Sequence, residues 1–137
     1  MQNLKKLKGD ASHREFYRKK FNDGNSIIIL AKKDKFKNLL VYDAISKTLN
    51  KNKILAPKLY RENYNNNYIE IEDFGNETIY KILKKNKNKK ILYFKNIIKL
   101  LKQVQSIKDK RIKNFKNKFY RIPEYKSEIL IKEANLF

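Results

Sequence analysis

Near its start the chain carries a run of small residues that could hold a phosphate group. Residues 9–12 read Gly-Asp-Ala-Ser, and Arg14 and Arg18 follow at a spacing that places both arginines on one face of a strand. A turn of small residues lets backbone N–H groups approach phosphate oxygens closely. An ordinary hairpin turn is the alternative. The candidate phosphate-binding residues here are Gly9, Asp10, Ala11, Ser12 and Arg14.

Asp43 is a second candidate, because it is a carboxylate on the apolar stripe of a predicted helix spanning residues 35–50. A carboxylate in such a position needs a partner. Lys32 and Lys33 end the preceding predicted strand. A strand lysine paired with a helix carboxylate is one arrangement that holds nucleotide phosphates. The alternative is that Asp43 lies at the edge of the stripe and meets solvent.

A third candidate is the segment Glu72-Asp73-Phe74-Gly75, between a predicted strand and a predicted helix. Asp73-Phe74-Gly75 copies the metal-binding D-F-G of protein kinases, but that motif follows a catalytic loop and none precedes it here. We therefore reject the metal-binding assignment. Glu72, Asp73 and Phe74 better fit a hinge that offers backbone groups to an adenine.

Several other chemistries are excluded by the residues present. The chain has no Cys, and its single His13 lies next to Ser12, so the two side chains would point to opposite faces of a strand. A Ser/His hydrolase and a common zinc site are therefore not expected. No G-x-x-x-x-G-K-[ST] motif, signal peptide or membrane-spanning apolar run is present, and we expect a cytoplasmic location.

The first half of the chain is predicted to be mainly strand. After one earlier strand, residues 16–21 and 26–31 form a predicted hairpin, and residues 58–62 and 68–72 form another around a polar turn. In residues 68–72 apolar and acidic side chains alternate, which predicts one buried and one wet face.

The second half is predicted to be helical, over residues 77–85, 92–107 and 124–137, with a solvated Lys/Asn-rich stretch at residues 84–90. The middle helix carries an apolar stripe. The last helix reaches Phe137 without a stop signal, so we expect that the chain is cut there. The fold class is α+β, with a small antiparallel sheet of about five strands and one packed helix.

The formal net charge of +20 invites a nucleic-acid interpretation, because clustered cations release counterions from phosphate backbones. The chain has 29 Lys but only 5 Arg, and its lysines are scattered. Arginine is the better residue for bidentate recognition of phosphates and bases. The charge therefore favours a solvated basic surface over a dedicated nucleic-acid face.

Several stretches together resemble one family. Residues 7–18, LKGDASHREFYR, resemble the L-x-G-D-A-S-x-R-x-[YF]-x-R opening of the N-acetylmuramate/N-acetylglucosamine anomeric kinases, within the aminoglycoside-phosphotransferase-like family. Residues 54–60 are similar to the family's approach to its fourth strand, and residues 68–78 to its strand-hinge segment L-L-L-E-D-L-G-D. Residues 122–125 and 132–137 resemble the helix that leads into its carboxyl-terminal lobe. The resemblance covers nearly the whole chain in register.

This resemblance implies ATP-dependent phosphorylation of the anomeric hydroxyl of an amino sugar, in the recycling of cell-wall peptidoglycan. It implies a protein-kinase-like N-lobe over residues 1–76, followed by the start of a helical C-lobe over residues 77–137. Residues 9–14 would cover the phosphates, residues 72–74 would form the adenine hinge, and Lys32 or Lys33 would be the strand lysine. The family's H-x-D catalytic loop and later metal-binding Asp match no residue up to Phe137. We therefore expect the chain to be inactive alone, with Mg²⁺ and sugar bound by the missing lobe.

Two other functions stay open. The net charge and interleaved aromatic residues fit an RNA-associated protein. The second alternative is a non-catalytic, pseudokinase-like interaction module.

Overall fold

The fold is given by a computed structural model, which describes residues 4–8, 14–22, 24–32, 37–123 and 127–135. Its helices and strands are, in chain order, β1 (Leu4–Leu7), β2 (Arg14–Phe21), β3 (Gly24–Ala31), α1 (Asn38–Lys51), β4 (Leu59–Asn63), β5 (Tyr68–Glu72), α2 (Ile79–Lys85), α3 (Lys90–Gln105), β6 (Arg111–Lys113), β7 (Phe119–Arg121) and α4 (Ser127–Ala134).

Five strands form one antiparallel sheet in the order β1-β2-β3-β5-β4. Helix α1 lies in the chain between β3 and β4, at the one place where the sheet order departs from the chain order. The predicted α+β class and both predicted hairpins are confirmed. The polar turn of the second hairpin is a 3-10 turn at Tyr64–Asn66, and Asn67 closes it with a left-handed φ of 58°.

The inner face of the sheet supplies the core. Ile27 and Ile29 of β3 pair with Ile71 and Ile69 of β5, and all four are buried. They pack in one cluster with Leu39 of α1, which is fully buried. Because β-branched side chains suit a pleated, buried surface, the apolar run of β3 forms a central strand.

The outer face of the sheet is not simply wet, so the prediction for residues 68–72 is wrong at Glu70. The Glu70 side chain is only 8% exposed. Its Oε1 accepts a hydrogen bond of 2.6 Å from the buried Ser26 hydroxyl and lies 3.6 Å from Lys19 Nζ. These partners on β3 and β2 satisfy a carboxylate that the alternation pattern assigned to solvent.

A short hairpin of β6 and β7, absent from the predictions, returns from α3 to the helix α1. Asp109 Oδ1 lies 2.6 Å from Lys51 Nζ, and Asp109 Oδ2 accepts a 2.8 Å hydrogen bond from Asn52. In the turn between the strands, the Phe115 ring meets the Tyr64 ring edge-on at 5.7 Å and packs against the core. The hairpin thus connects the end of α1 with the β4–β5 turn.

Helix α3 has the predicted apolar stripe, but most of that stripe is exposed. Phe94, Ile98 and Leu101 are each more than half exposed, and the same holds for Tyr80 of α2. Apolar side chains on a regular stripe usually lie against another element. Helices α2 and α3 therefore present an uncovered apolar surface.

We predict that Ile29→Val lowers the free energy of unfolding by about 1 kcal/mol, because a buried methylene is lost from a close-packed core. Ile91→Val removes the same group from a side chain that is 74% exposed, so its effect should be close to zero. Urea denaturation of both variants measures the difference. Equal effects of the two substitutions would contradict the assignment of Ile29 to the core.

Candidate functional site

Arg18 of β2 binds the segment that leaves the sheet after β5 through hydrogen bonds and an ion pair. Its Nε lies 2.5 Å from Asp73 Oδ2, and its Nη2 donates to Asp73 Oδ1 at 3.0 Å. Nη2 also donates to the Gly75 carbonyl at 3.1 Å, and Nη1 donates to Asn76 Oδ1 at 2.6 Å. One guanidinium therefore holds three residues of the exit segment, residues 73–76.

The exit segment is also held from within. The Gly75 N–H donates to Asp73 Oδ1 at 2.8 Å. Gly75 has a φ of +80°, a left-handed conformation that side chains with a Cβ rarely adopt. At the end of β5, the Glu72 N–H donates to the Lys58 carbonyl, while Glu72 Oε2 accepts from the Lys58 N–H. Both motif carboxylates, Glu72 and Asp73, thus fix the path of the chain.

The environment of Asp73 favours its charged form. Burial by itself would raise the pKa of this carboxyl, since its side chain is only 4% exposed. The hydrogen bond from Arg18, the Gly75 N–H and the charge of Arg18 outweigh burial, so the pKa of Asp73 is lowered.

Phe74 is the residue of the exit segment that is left open. Its side chain is half exposed, and no hydrogen bond among the described residues reaches its main-chain N–H or C=O. A fixed main chain with an open donor and acceptor can pair with the edge of a flat heterocycle. The exit segment thus offers one main-chain donor and one main-chain acceptor that no described residue uses.

Asp43 is buried, which removes the alternative that it meets solvent. Its side chain is 1% exposed, and its Oδ2 lies 2.8 Å from Nζ of Lys47, one turn further along α1. Both residues line a cavity of about 440 Å³ between α1 and the start of β4. Among the described residues, the ion-pair partner of Asp43 is therefore on its own helix.

Lys32 lies on the other side of the sheet from Asp43. Glu15 is opposite Leu30 in the β2–β3 register, and Lys32 follows Leu30 by two residues, so all three share the outer face. The pKa of Glu15 is lowered by its hydrogen bond from Tyr17, then by Lys6, and least by the charge of Lys32. Lys32 and Asp43 are not brought together.

Arg14 shares the inner face with Arg18, as predicted from its spacing. It lies opposite Ala31, and its guanidinium sits over the Tyr42 ring at 5.5 Å. Burial raises the pKa of Tyr42, and the charge of Arg14 opposes that rise. Arg14 therefore stands at the start of β2, directly after the predicted phosphate-binding turn.

The remaining predicted residues lie outside the described residues. These are Gly9, Asp10, Ala11, Ser12 and Lys33. Sequence reasoning missed the contacts from Arg18 to Asp73 and from Lys47 to Asp43. The i, i+4 spacing of Asp43 and Lys47 was a usable signal for the second pair, whereas no local signal links residues 55 positions apart.

Comparison with known proteins finds no protein-family model and no curated protein that matches this chain. Within the described ranges, no helix combines the length and apolar character needed to cross a membrane. In the same ranges, no group of three or more His, Cys, Asp or Glu side chains could hold a metal ion. The geometry of the site therefore carries its interpretation.

We predict that Asp73→Asn lowers the free energy of unfolding by about 2 kcal/mol at pH 7, because it leaves the nearly buried Arg18 without its counter-charge. The pKa of Asp73 is lower in the folded than in the unfolded chain, so its contribution is complete above the unfolded value of about 4 and fades below it. The difference between wild type and variant should therefore shrink as the pH falls from about 5 towards 2.

Denaturant unfolding across this pH range measures the effect. Glu77→Gln is the control, because Glu77 is 59% exposed and its one ion-pair partner among the described residues, Lys85, is 67% exposed at 3.4 Å. A deficit for Asp73→Asn that stays constant with pH would show that the ionised form of Asp73 is not what stabilises the fold.

Proposed function

We propose that this chain is the nucleotide-binding part of an ATP-dependent small-molecule phosphotransferase of the aminoglycoside-phosphotransferase type. The observation that carries the proposal is the five-stranded sheet of order β1-β2-β3-β5-β4, with α1 between β3 and β4 and an open exit segment after β5. This is the arrangement expected of a protein-kinase-like small lobe, in which the chain leaves the fifth strand beside the adenine.

The parts of a nucleotide would lie along the inner face and the end of the sheet. The exit segment offers the open main chain of Phe74 to the adenine edge. The small residues proposed to cover the phosphates lie in the chain between β1 and β2, and Arg14 follows them on the inner face. Because Lys32 faces outward beside Glu15, the role of phosphate-binding strand lysine falls to Lys33.

The chemistry of transfer needs groups beyond the described sheet. A base would take the proton of the acceptor hydroxyl while the γ-phosphoryl group passes from ATP to that hydroxyl and ADP leaves, and Mg²⁺ would neutralise the phosphate charge. The uncovered apolar surface of α2 and α3 is suited to packing against a helical lobe that supplies these groups. Such packing buries the stripe of Phe94, Ile98 and Leu101.

The acceptor class comes from the resemblance of residues 7–18 and 68–78 to amino-sugar anomeric kinases. On that basis we propose an N-acetylated amino sugar of the cell wall, phosphorylated at its anomeric hydroxyl. The chain's own described residues contribute the nucleotide side of this reaction.

Calorimetric titration with adenosine, ADP and ATP tests the nucleotide proposal. We expect adenosine to bind through the exit segment, and ATP to bind more tightly because it adds phosphate contacts. A single-stranded RNA is titrated in parallel at several salt concentrations. RNA binding that falls steeply with salt, together with no adenosine binding, would replace the proposal with binding of a polyanion.

We predict that Lys33→Ala weakens ATP binding by about tenfold, the effect of losing one charge-assisted contact of about 1.4 kcal/mol. Adenosine affinity should stay unchanged, because adenosine has no phosphate. Lys32→Ala is the matched control, with the same loss of charge one residue away on the outer face. Equal losses of ATP affinity in the two variants would show a general effect of net charge.

A further inference from the structure

We infer that Arg18 is a positioning residue for the adenine, acting through the exit segment of residues 73–76 without touching the nucleotide. This inference rests on the proposed nucleotide site. The phosphate-binding role proposed for residues 9–14 does not include Arg18, so this role is additional. It joins two separate sequence motifs, the one that ends in Arg18 and the one that contains Asp73.

The register of the sheet places Arg18 where it can reach the exit segment. Arg18 lies opposite Ile27, and Ile27 lies opposite Ile71, so the three form one row across the inner face. Asp73 follows Ile71 by two residues, and it therefore leaves β5 on the same side. The arginine side chain spans β3 and meets the carboxylate beyond the end of β5.

The guanidinium makes three hydrogen bonds and one ion-pair contact with the exit segment. All three of its nitrogens contact the exit segment, and the side chain is 12% exposed. Nη1 binds the Asn76 side chain, Nη2 binds Asp73 and the Gly75 carbonyl, and Nε binds Asp73. A guanidinium committed in this way points its contacts at the exit segment and away from a phosphate ligand.

The contacts of Arg18 bracket the open residue of the segment. Asp73 precedes Phe74 and Gly75 follows it, and both are bound to the same guanidinium. The main chain of Phe74 is thereby held between two fixed points before any ligand arrives. Pre-organisation of this kind lowers the entropy cost of binding, so its loss weakens every ligand that uses Phe74.

Comparing the affinities for adenosine, which has no phosphate, and for ATP distinguishes a positioning role of Arg18 from a direct phosphate contact. Arg18→Lys keeps the positive charge but loses the planar fork that reaches three residues at once. We expect Arg18→Lys to weaken adenosine and ATP by the same factor, about tenfold. A phosphate-binding arginine would instead change ATP affinity and leave adenosine affinity unchanged.

Asn76→Ala provides a second variant, because it removes one contact of Arg18 and leaves its ion pair with Asp73 in place. We expect a smaller loss, about threefold, again equal for adenosine and ATP. Arg61→Lys is the matched control, an exposed arginine on β4 of the same sheet, and should change neither affinity. Circular dichroism and thermal unfolding identify a temperature at which all variants are folded for titration.

The outcomes separate this inference from the function on which it rests. If the wild-type chain binds neither adenosine nor ATP, the proposed function fails. If the wild type binds both, and Arg18→Lys binds each of them as tightly as the wild type does, the positioning role is wrong. A loss confined to ATP overturns the inference in favour of a direct phosphate contact by Arg18.

Discussion

The pairing of Ile29 with Ile69 is the constraint on which the other features of the sheet depend. The two side chains are fully buried, lie opposite each other on β3 and β5, and pack with Leu39 of α1. A shift of register by one residue would turn Glu70 towards the core and the isoleucines towards the outer face. Burial of this pair therefore sets which side chain of every strand faces α1.

The same register sets the polar contacts on both faces. On the inner face it places Arg18 in the row of Ile27 and Ile71, from which it reaches Asp73. On the outer face it brings Ser26 and Lys19 to Glu70. The two carboxylates, Asp73 and Glu70, are thus largely buried beside a partner from another strand, so an apolar constraint in the centre of the sheet determines the ionic contacts around it.

Elements that rest on local periodicity could be predicted from the sequence, and contacts between distant residues could not. A local signal in the sequence marks three elements: the apolar run of β3, the turn residues before it, and the periodic apolar stripe of α3. The β6–β7 hairpin has strands of only three residues, too short for alternation to be visible. Its place depends on Asp109 meeting the end of α1, which is a tertiary contact.

In the candidate site, too, local sequence signals identified single residues but not their partners in the fold. Asp43 was singled out because a carboxylate on an apolar stripe needs a partner, and Asp73 because its segment lies between a predicted strand and a predicted helix. Their partners depend on three-dimensional distance among 34 cationic residues. Among the described residues Asp43 meets Lys47 on its own helix and not Lys32, and Asp73 meets Arg18 across β3.

The most basic part of the chain and the exit segment proposed to bind adenine lie in different regions of the sequence. Among the described residues, the carboxylates of Glu15, Asp43, Glu70, Asp73 and Asp109 each lie within ion-pair distance of a lysine or arginine. Residues 78–108, by contrast, contain ten Lys and no Asp or Glu. Half of the net charge of +20 thus lies in the part of the chain that contains α2 and α3, whereas the exit segment is held by a nearly buried ion pair. The proposed adenine site and the most basic part of the chain are therefore different regions, and salt screens exposed charges more than a nearly buried ion pair.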